Sequence, residues 1–327
     1  MNANVTTPIS IDAEQVQKES AELTILGSGA WGTALAKLVE KNDHTVCLWS
    51  RRSRLSMAEA VQDSHVILSA VSMKGVPAIA AQLEDLNIPP ETILVTATKG
   101  LDPETTRTPS QILQDTFPKN PVVVLSGPNL SKEIEQGLPA ATVAASAHPE
   151  AAEAVQYLFS SDTFRVYSSP DPLGAELGGT LKNVVAIAVG ICEGLELGSN
   201  ARSALMTRAL PEMIRIGTHL GGQPDTFVGL SGLGDMLATC TSVLSRNYRV
   251  GYGLAQGKSL GQILEEIGST AEGVNTTNVL IQIANREGIP APISRQVYRL
   301  LNGKITPQEA VEALMERDLK AEACLLT

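Results

Sequence analysis

The chain has 327 residues, enough for two domains, and is 43% hydrophobic and 18% charged, which excludes a disordered or membrane-embedded class. A net charge of −10 argues against broad binding to nucleic acid but leaves room for an anionic small molecule at a locally basic site. Cys47, Cys192, Cys240 and Cys324 form no CxxC pair, and the four histidines never stand at metal-ligand spacing, so neither disulfides nor a metal centre are expected.

Residues 1–20 are polar, mixed in charge and without the apolar middle of an export signal; they read as a flexible tail, with the cytoplasm as the expected compartment. From Leu23 to Tyr167 short β-rich runs alternate with helical patterns. The expected strands are Leu23–Leu26, Thr45–Trp49, Val66–Val71, Thr92–Ala97, Val122–Ser126, Ala141–Ala145 and Phe164–Tyr167. Helical stretches at Gly32–Asn42, Val76–Leu86 and Pro149–Phe159 lie between them, the pattern of a mainly parallel, doubly wound α/β sheet of Rossmann-like type. After Pro172 only helical patterns remain: Leu173–Leu197, Ala201–Leu220, Asn247–Gln256, Leu260–Ile267, Thr276–Glu287, Ser294–Leu300 and Thr306–Leu314. The expected organisation is a dinucleotide-binding domain over 21–180 and an all-α substrate-binding domain over 181–327. No apolar run approaches the ~20 residues that span a bilayer; the longest, Val184–Ile191, stops at Glu193.

Gly27-Ser28-Gly29-Ala30-Trp31-Gly32 lies between the first strand and an amphipathic helix. In that context Gly27 permits the tight turn, Gly29 lets the backbone approach a pyrophosphate, and Gly32 lets the helix pack closely, its first amides aimed at phosphates. Binders of NAD carry an acid near the end of the second strand. Here Ser50 stands there, followed by Arg51-Arg52-Ser53-Arg54, and arginine suits the 2′-phosphate of NADPH, with NADH as the alternative.

Three further stretches carry chemistry. Lys99 follows a strand in Ala97-Thr98-Lys99-Gly100, and Ser126-Gly127-Pro128-Asn129 follows another, placing both at a sheet edge where ligands bind. Lys182 stands between the Gly178-Gly179 pair, which leaves bare space on its helix face, and the apolar run that begins at Val184; partial burial there would lower its pKa and make it a usable acid. Downstream, Asp235 closes Leu230-Ser231-Gly232-Leu233-Gly234, and Ser245-Arg246-Asn247 gathers donors at a helix start suited to a phosphate. Either could also be a loop with a helix cap. Two other readings remain open on these residues: a dehydrogenase of hydroxy acids, and a non-catalytic NADPH sensor that kept the loop.

The ordered series GSGAWGTALA, ATKGL, SGPN, GGTLKNVVAI, NARSALMTRAL, GLSGLGDMLATCT, SRNYRVG and AEGVNT resembles the bacterial-type NAD(P)-dependent glycerol-3-phosphate dehydrogenases over 23–314. The resemblance implies reversible reduction of dihydroxyacetone phosphate to sn-glycerol 3-phosphate, the backbone precursor of phospholipids. It implies that Lys182 is the proton donor, with Asp235 and Asn183 orienting it or the substrate hydroxyls. It places substrate contacts at Lys99, Gly127, Asn129, Ser245, Arg246 and Asn247. Cofactor contacts fall at Ala30, Trp31, Arg51, Arg52, Lys99, Ser131, Arg246, Thr270 and Glu272, beside the loop glycines. The expected partners are this small-molecule substrate and a second copy of the chain. The sequence departs from the family pattern in a short segment between Arg54 and Val66, in Val71-Ser72-Met73 after the third strand, and in Asn129 where Ser or Thr is commoner.

Overall fold

A computed structural model describes residues 23–318. The expected tail over 1–20, and Cys324, lie outside the described residues. All seven expected strands form: β1 Leu23–Leu26, β2 Val46–Trp49, β3 Val66–Ser69, β4 Ile93–Thr96, β5 Val122–Ser126, β6 Ala140–Ala145 and β7 Phe164–Ser169. They make one sheet in the order β2-β1-β3-β4-β5-β6-β7. Every pairing is parallel except β5 with β6. The two faces separate with period two. Leu23, Ile25, Val66, Leu68, Ile93 and Val95 belong to the core on one face, and Leu26, Ile67 and Leu94 to the core on the other.

The helices of the sheet part are α1 Ala30–Lys41, α2 Met57–Val61, α3 Val76–Glu84, α4 Pro109–Thr116, α5 Ser131–Glu135 and α6 Pro149–Phe159. Helix α5 is the helical stretch expected after Asn129, whereas α2 and α4 go beyond the expected stretches; they have five and eight residues, too few for a 3.6-residue period to emerge. The signal for α2 and α4 was capping: Ser56 with Glu59, and Thr108 with Gln111, form capping boxes. The short stretch after Arg54 is thus α2 itself.

The rest is helical: α7 Pro172–Gly194, α8 Gly198–His219, α9 Pro224–Phe227, α10 Asp235–Cys240, α11 Arg246–Ala255, α12 Leu260–Ile267, α13 Glu272–Glu287, α14 Pro292–Leu301 and α15 Pro307–Met315. Helix α7 runs unbroken across 180/181, where the sequence divides the domains, because Asp171 caps it and Pro172 opens it. It is 23 residues long and apolar enough to cross a membrane by length and composition, longer than the run read from sequence, and it is enclosed on all sides. Helices α8, α10, α11, α13 and α14 pack around it. Where α7 meets α11 the backbones touch: a Cβ on Gly251 would collide with the Ile187 carbonyl, and one on Gly190 with the Tyr248 carbonyl. Small residues at that crossing bring the start of α11 within hydrogen-bond reach of Lys182's neighbour Asn183.

Candidate active site

The chain leaves β1 for β2 on one side and then returns to β3 on the other, so β1 lies at the switch point of the sheet. The glycine loop leaves β1 there. Gly27 has φ +124°, closed to other residues, and its N–H donates to Trp49 O at 2.8 Å. A Cβ on Gly32 would collide with the Gly27 carbonyl, so α1 presses on the turn itself. A Cβ on Gly29 would meet nothing within 4 Å. Gly29 faces open space at the N-terminus of α1, with Ser28 and Ala30 exposed beside it, and that cradle fits a dinucleotide pyrophosphate. Trp31 is half-buried and packs on the sheet's core. Arg51 and Arg52 are exposed in the turn after β2, beside the loop because Trp49 and Leu26 are register partners. Ser131 opens α5, half-buried, and Thr270 is exposed just before α13.

Lys182 lies on the buried α7 and is 7% exposed. Its Nζ donates to Asp235 Oδ1 at 2.7 Å and to Thr239 Oγ1, one turn further along α10. Lys99 reaches the other oxygen of the same carboxylate, Nζ to Asp235 Oδ2 at 2.5 Å, and also donates to Gly127 O at 3.2 Å. One carboxylate therefore holds two ammonium groups, leaving a net positive charge for an anion or a developing alkoxide. Burial lowers the Lys182 pKa to about 8; Asp235 opposes that shift and the Lys99 charge adds to it. Burial also pushes the nearby Cys240 thiol to about 12, so it stays protonated beside the lysine.

The diglycine before Lys182 does not leave bare space. A Cβ on Gly178 would stand 2.8 Å from Ser231 O, and one on Gly179 would stand 2.5 Å from Ser126 Oγ and 3.1 Å from Lys99 Cε. These glycines admit the backbone that leads to Asp235 and the stem of Lys99. Asp235 follows a π-helical turn, Leu230–Gly234, that runs directly into α10, so its glycines belong to a wide helical turn and not to a loop with a cap.

The Ser245-Arg246-Asn247 cluster divides into different tasks. Ser245 caps α11, its Oγ accepting from Tyr248 N at 3.2 Å. Asn247 is buried, donating to Asn183 Oδ1 at 2.9 Å and accepting from Gly273 N at 3.0 Å. Arg246 alone is exposed. Glu272 accepts from Met73 N at 3.3 Å, joining α13 to the turn after β3. Burial raises its pKa, with the Met73 amide and then the Arg246 charge acting the other way. Asn129 donates to Thr142 Oγ1 at 2.9 Å, while its Oδ1 is buried without a partner among the described residues.

Sequence reasoning missed Thr239, although its spacing of four from Asp235 on a helix is a legible signal. It also missed Glu176, on α7 six residues before Lys182. This carboxylate accepts from Ser110 N at 2.9 Å and Ser110 Oγ at 2.5 Å, tying α7 to the first turn of α4. Burial raises its pKa to about 7.

A glycine cradle at the switch point of the sheet, together with a buried lysine that an aspartate holds in place, belongs to a nicotinamide-dependent oxidoreductase of the two-part Rossmann type. The model of the N-terminal part of NAD-dependent glycerol-3-phosphate dehydrogenases matches residues 22–57 and 52–152, and that of the C-terminal part matches 171–312. A glycerol-3-phosphate dehydrogenase [NAD(P)+] of Acaryochloris marina is 68% identical over 302 residues, 92% of this chain and 97% of the relative. One of Synechocystis is 66% identical, covering 92% and 95%. The crystal structure of glycerol-3-phosphate dehydrogenase from Coxiella burnetii superposes with a TM-score of 0.87 at 33% identity, covering 91% of this chain and 99% of that one. The chain belongs to the NAD-dependent glycerol-3-phosphate dehydrogenase family.

Proposed function

We propose that the protein catalyses the reversible reduction of dihydroxyacetone phosphate to sn-glycerol 3-phosphate and so supplies the backbone of glycerophospholipids. The observation that carries this reading is the Lys182–Asp235–Lys99 cluster, two ammonium groups on one buried carboxylate. When bound, the reduced dinucleotide supplies the hydride that reaches the ketone carbon. Lys182 donates a proton to the carbonyl oxygen as negative charge develops there, and a pKa of about 8 keeps it mostly protonated at neutral pH yet able to release that proton. Asp235 aims Lys182 and stabilises its charge against burial. Lys99, Gly127 and Asn129 line the substrate's hydroxyl end. The phosphate goes to the exposed Arg246, which Ser245 and Asn247 hold at the start of α11; anchoring that remote group orients the carbonyl.

On the cofactor side, Gly27, Gly29, Ala30 and Gly32 take the pyrophosphate. Trp31, Lys99, Ser131, Arg246, Thr270 and Glu272 complete the contacts, and Arg51 with Arg52 meets a 2′-phosphate, which favours NADPH over NADH. The division of labour assigns the dinucleotide to 21–180 and the substrate to 181–327, with α7 spanning both. The chain is assigned to the cytoplasm, in keeping with free Cys47, Cys192 and Cys240. It is taken to be a homodimer. Sedimentation of the purified protein tests that state.

The deciding assay is the oxidation of NADPH or NADH by purified protein with dihydroxyacetone phosphate. Turnover with this ketone, and none with 2-keto acids, is the expected result. Reduction of a keto acid but not of the phosphotriose would overturn the assignment.

A further inference from the structure

We propose that Thr180 and Asn275 are positioning residues that set Lys99 onto Asp235, so that the helix carrying one active lysine also registers the other. The proposal rests on the reading of Lys182 as the proton donor and Lys99 as a substrate contact.

Lys99 is not anchored by a regular element. It stands three residues beyond β4, and the next residue, Gly100, has φ +150°, a conformation that leaves the loop's path dependent on its ties. On the N-terminal side, Thr98 Oγ1 donates to Val71 O at 2.8 Å, which binds the loop to the turn after β3. On the other side two ties come from the helical part. Gly100 N donates to Thr180 Oγ1 at 3.0 Å, and Asn275 Nδ2 donates to Leu101 O at 2.8 Å. Leu101 is 1% exposed and its side chain lies in the helical core, not in either core of the sheet.

Thr180 is 0% exposed and stands in mid-helix on α7, two residues before Lys182. A threonine there commonly turns its hydroxyl to the carbonyl one turn back, as Thr218 and Thr277 do to Ile214 O and Gly273 O. The Thr180 hydroxyl faces the Gly100 amide instead. Asn275, from α13, fixes the Leu101 carbonyl. The first and third peptide groups after Lys99 are thus held by side chains from two helices, and Gly179 leaves the channel through which the Lys99 stem reaches Asp235.

The arrangement has a consequence that a merely structural role lacks. After burial, the largest cause, the charges acting on Lys182 are Asp235, which raises its pKa, and Lys99, which lowers it. Drawing Lys99 away from Asp235 therefore raises the Lys182 pKa. The alkaline fall of kcat/KM for ketone reduction moves to higher pH.

The test uses the full chain with dihydroxyacetone phosphate and NADPH. Thr180→Val keeps the shape of the side chain and removes the acceptor; Thr180→Ser keeps the acceptor. Thr180→Val is expected to raise KM for the phosphotriose about tenfold, the effect of one lost hydrogen bond, and to move the alkaline limb upward. NADPH affinity, followed by cofactor fluorescence, is expected to stay unchanged, and Thr180→Ser to restore wild-type values. Lys99→Met sets the full extent of the limb's movement. Asn275→Leu, at a half-buried position, reads the same limb should Thr180→Val fail to fold. An unmoved limb and unchanged KM in the folded variants overturns the proposal, as does Thr180→Ser being as impaired as Thr180→Val. Absence of phosphotriose reduction by the wild type is a different outcome, seen before any variant is made, and overturns the functional reading itself.

Discussion

Replacing Gly178 by Ala separates stability from catalysis. The added Cβ would stand 2.8 Å from Ser231 O, 3.1 Å from Ser231 C and 3.0 Å from Gly232 Cα, all backbone atoms that no rotamer change can clear. Ordinary contact between such atoms is about 3.5–4.0 Å, so the Leu230–Gly234 turn must retreat by roughly 1 Å. Overpacking of this kind costs about 1–3 kcal/mol. Alanine in a helix interior returns about 1 kcal/mol relative to glycine, so the net loss of stability is about 0–2 kcal/mol, a fall in Tm of a few degrees. The effect on turnover is larger, because the displaced turn runs directly into Asp235 and a misplacement of about 1 Å near reacting groups reduces rate about 100-fold. Steady-state kinetics beside calorimetry reads both quantities. Gly261→Ala is the control: its Cβ would meet nothing within 4 Å and it lies in α12, so it should gain stability and keep full activity. A Gly178→Ala enzyme with near-normal kcat would refute the reasoning.

Lys182→Ala should lower kcat for reduction by about 10²–10⁴-fold while NADPH binding, read by fluorescence, stays near normal; retention of turnover removes Lys182 from the mechanism. In the wild type, kcat/KM for reduction should fall as pH rises through about 8, where Lys182 loses its proton, and the reverse oxidation should rise over the same window. Arg51→Ala/Arg52→Ala should lower the ratio of kcat/KM for NADPH to that for NADH, and an unchanged ratio excludes both arginines from 2′-phosphate binding. Glu176 has a raised pKa in the folded state, so its contribution to stability is present below pH 4.5 and is lost as pH rises through about 7, a change of roughly 3 kcal/mol. Glu176→Gln cannot ionise, and urea midpoints at pH 5 and pH 8 should show the variant gaining on the wild type at the higher pH; parallel behaviour rules out the buried titration.

Much of this protein follows from local sequence. The alternation of apolar residues that divides Ile25 from Leu26 between two cores specifies strands with two covered faces. Gly27, Gly29 and Gly32 mark the proposed cofactor loop because turn, approach and packing each require a missing Cβ at that position. Lys182 stood out because a lysine in an apolar helix needs a partner. The partners themselves were beyond local reading. That Asp235 serves two lysines, that Thr239 and Thr180 turn inward, and that Glu176 reaches Ser110 depend on contacts between elements far apart in the chain. The same holds for Gly178 and Gly179, which look like empty space along one helix and become contact points only when the Ser231 backbone and the Lys99 stem are packed against them. Sequence periodicity registers which face of a helix is apolar; which atoms fill that face is decided by close packing in three dimensions.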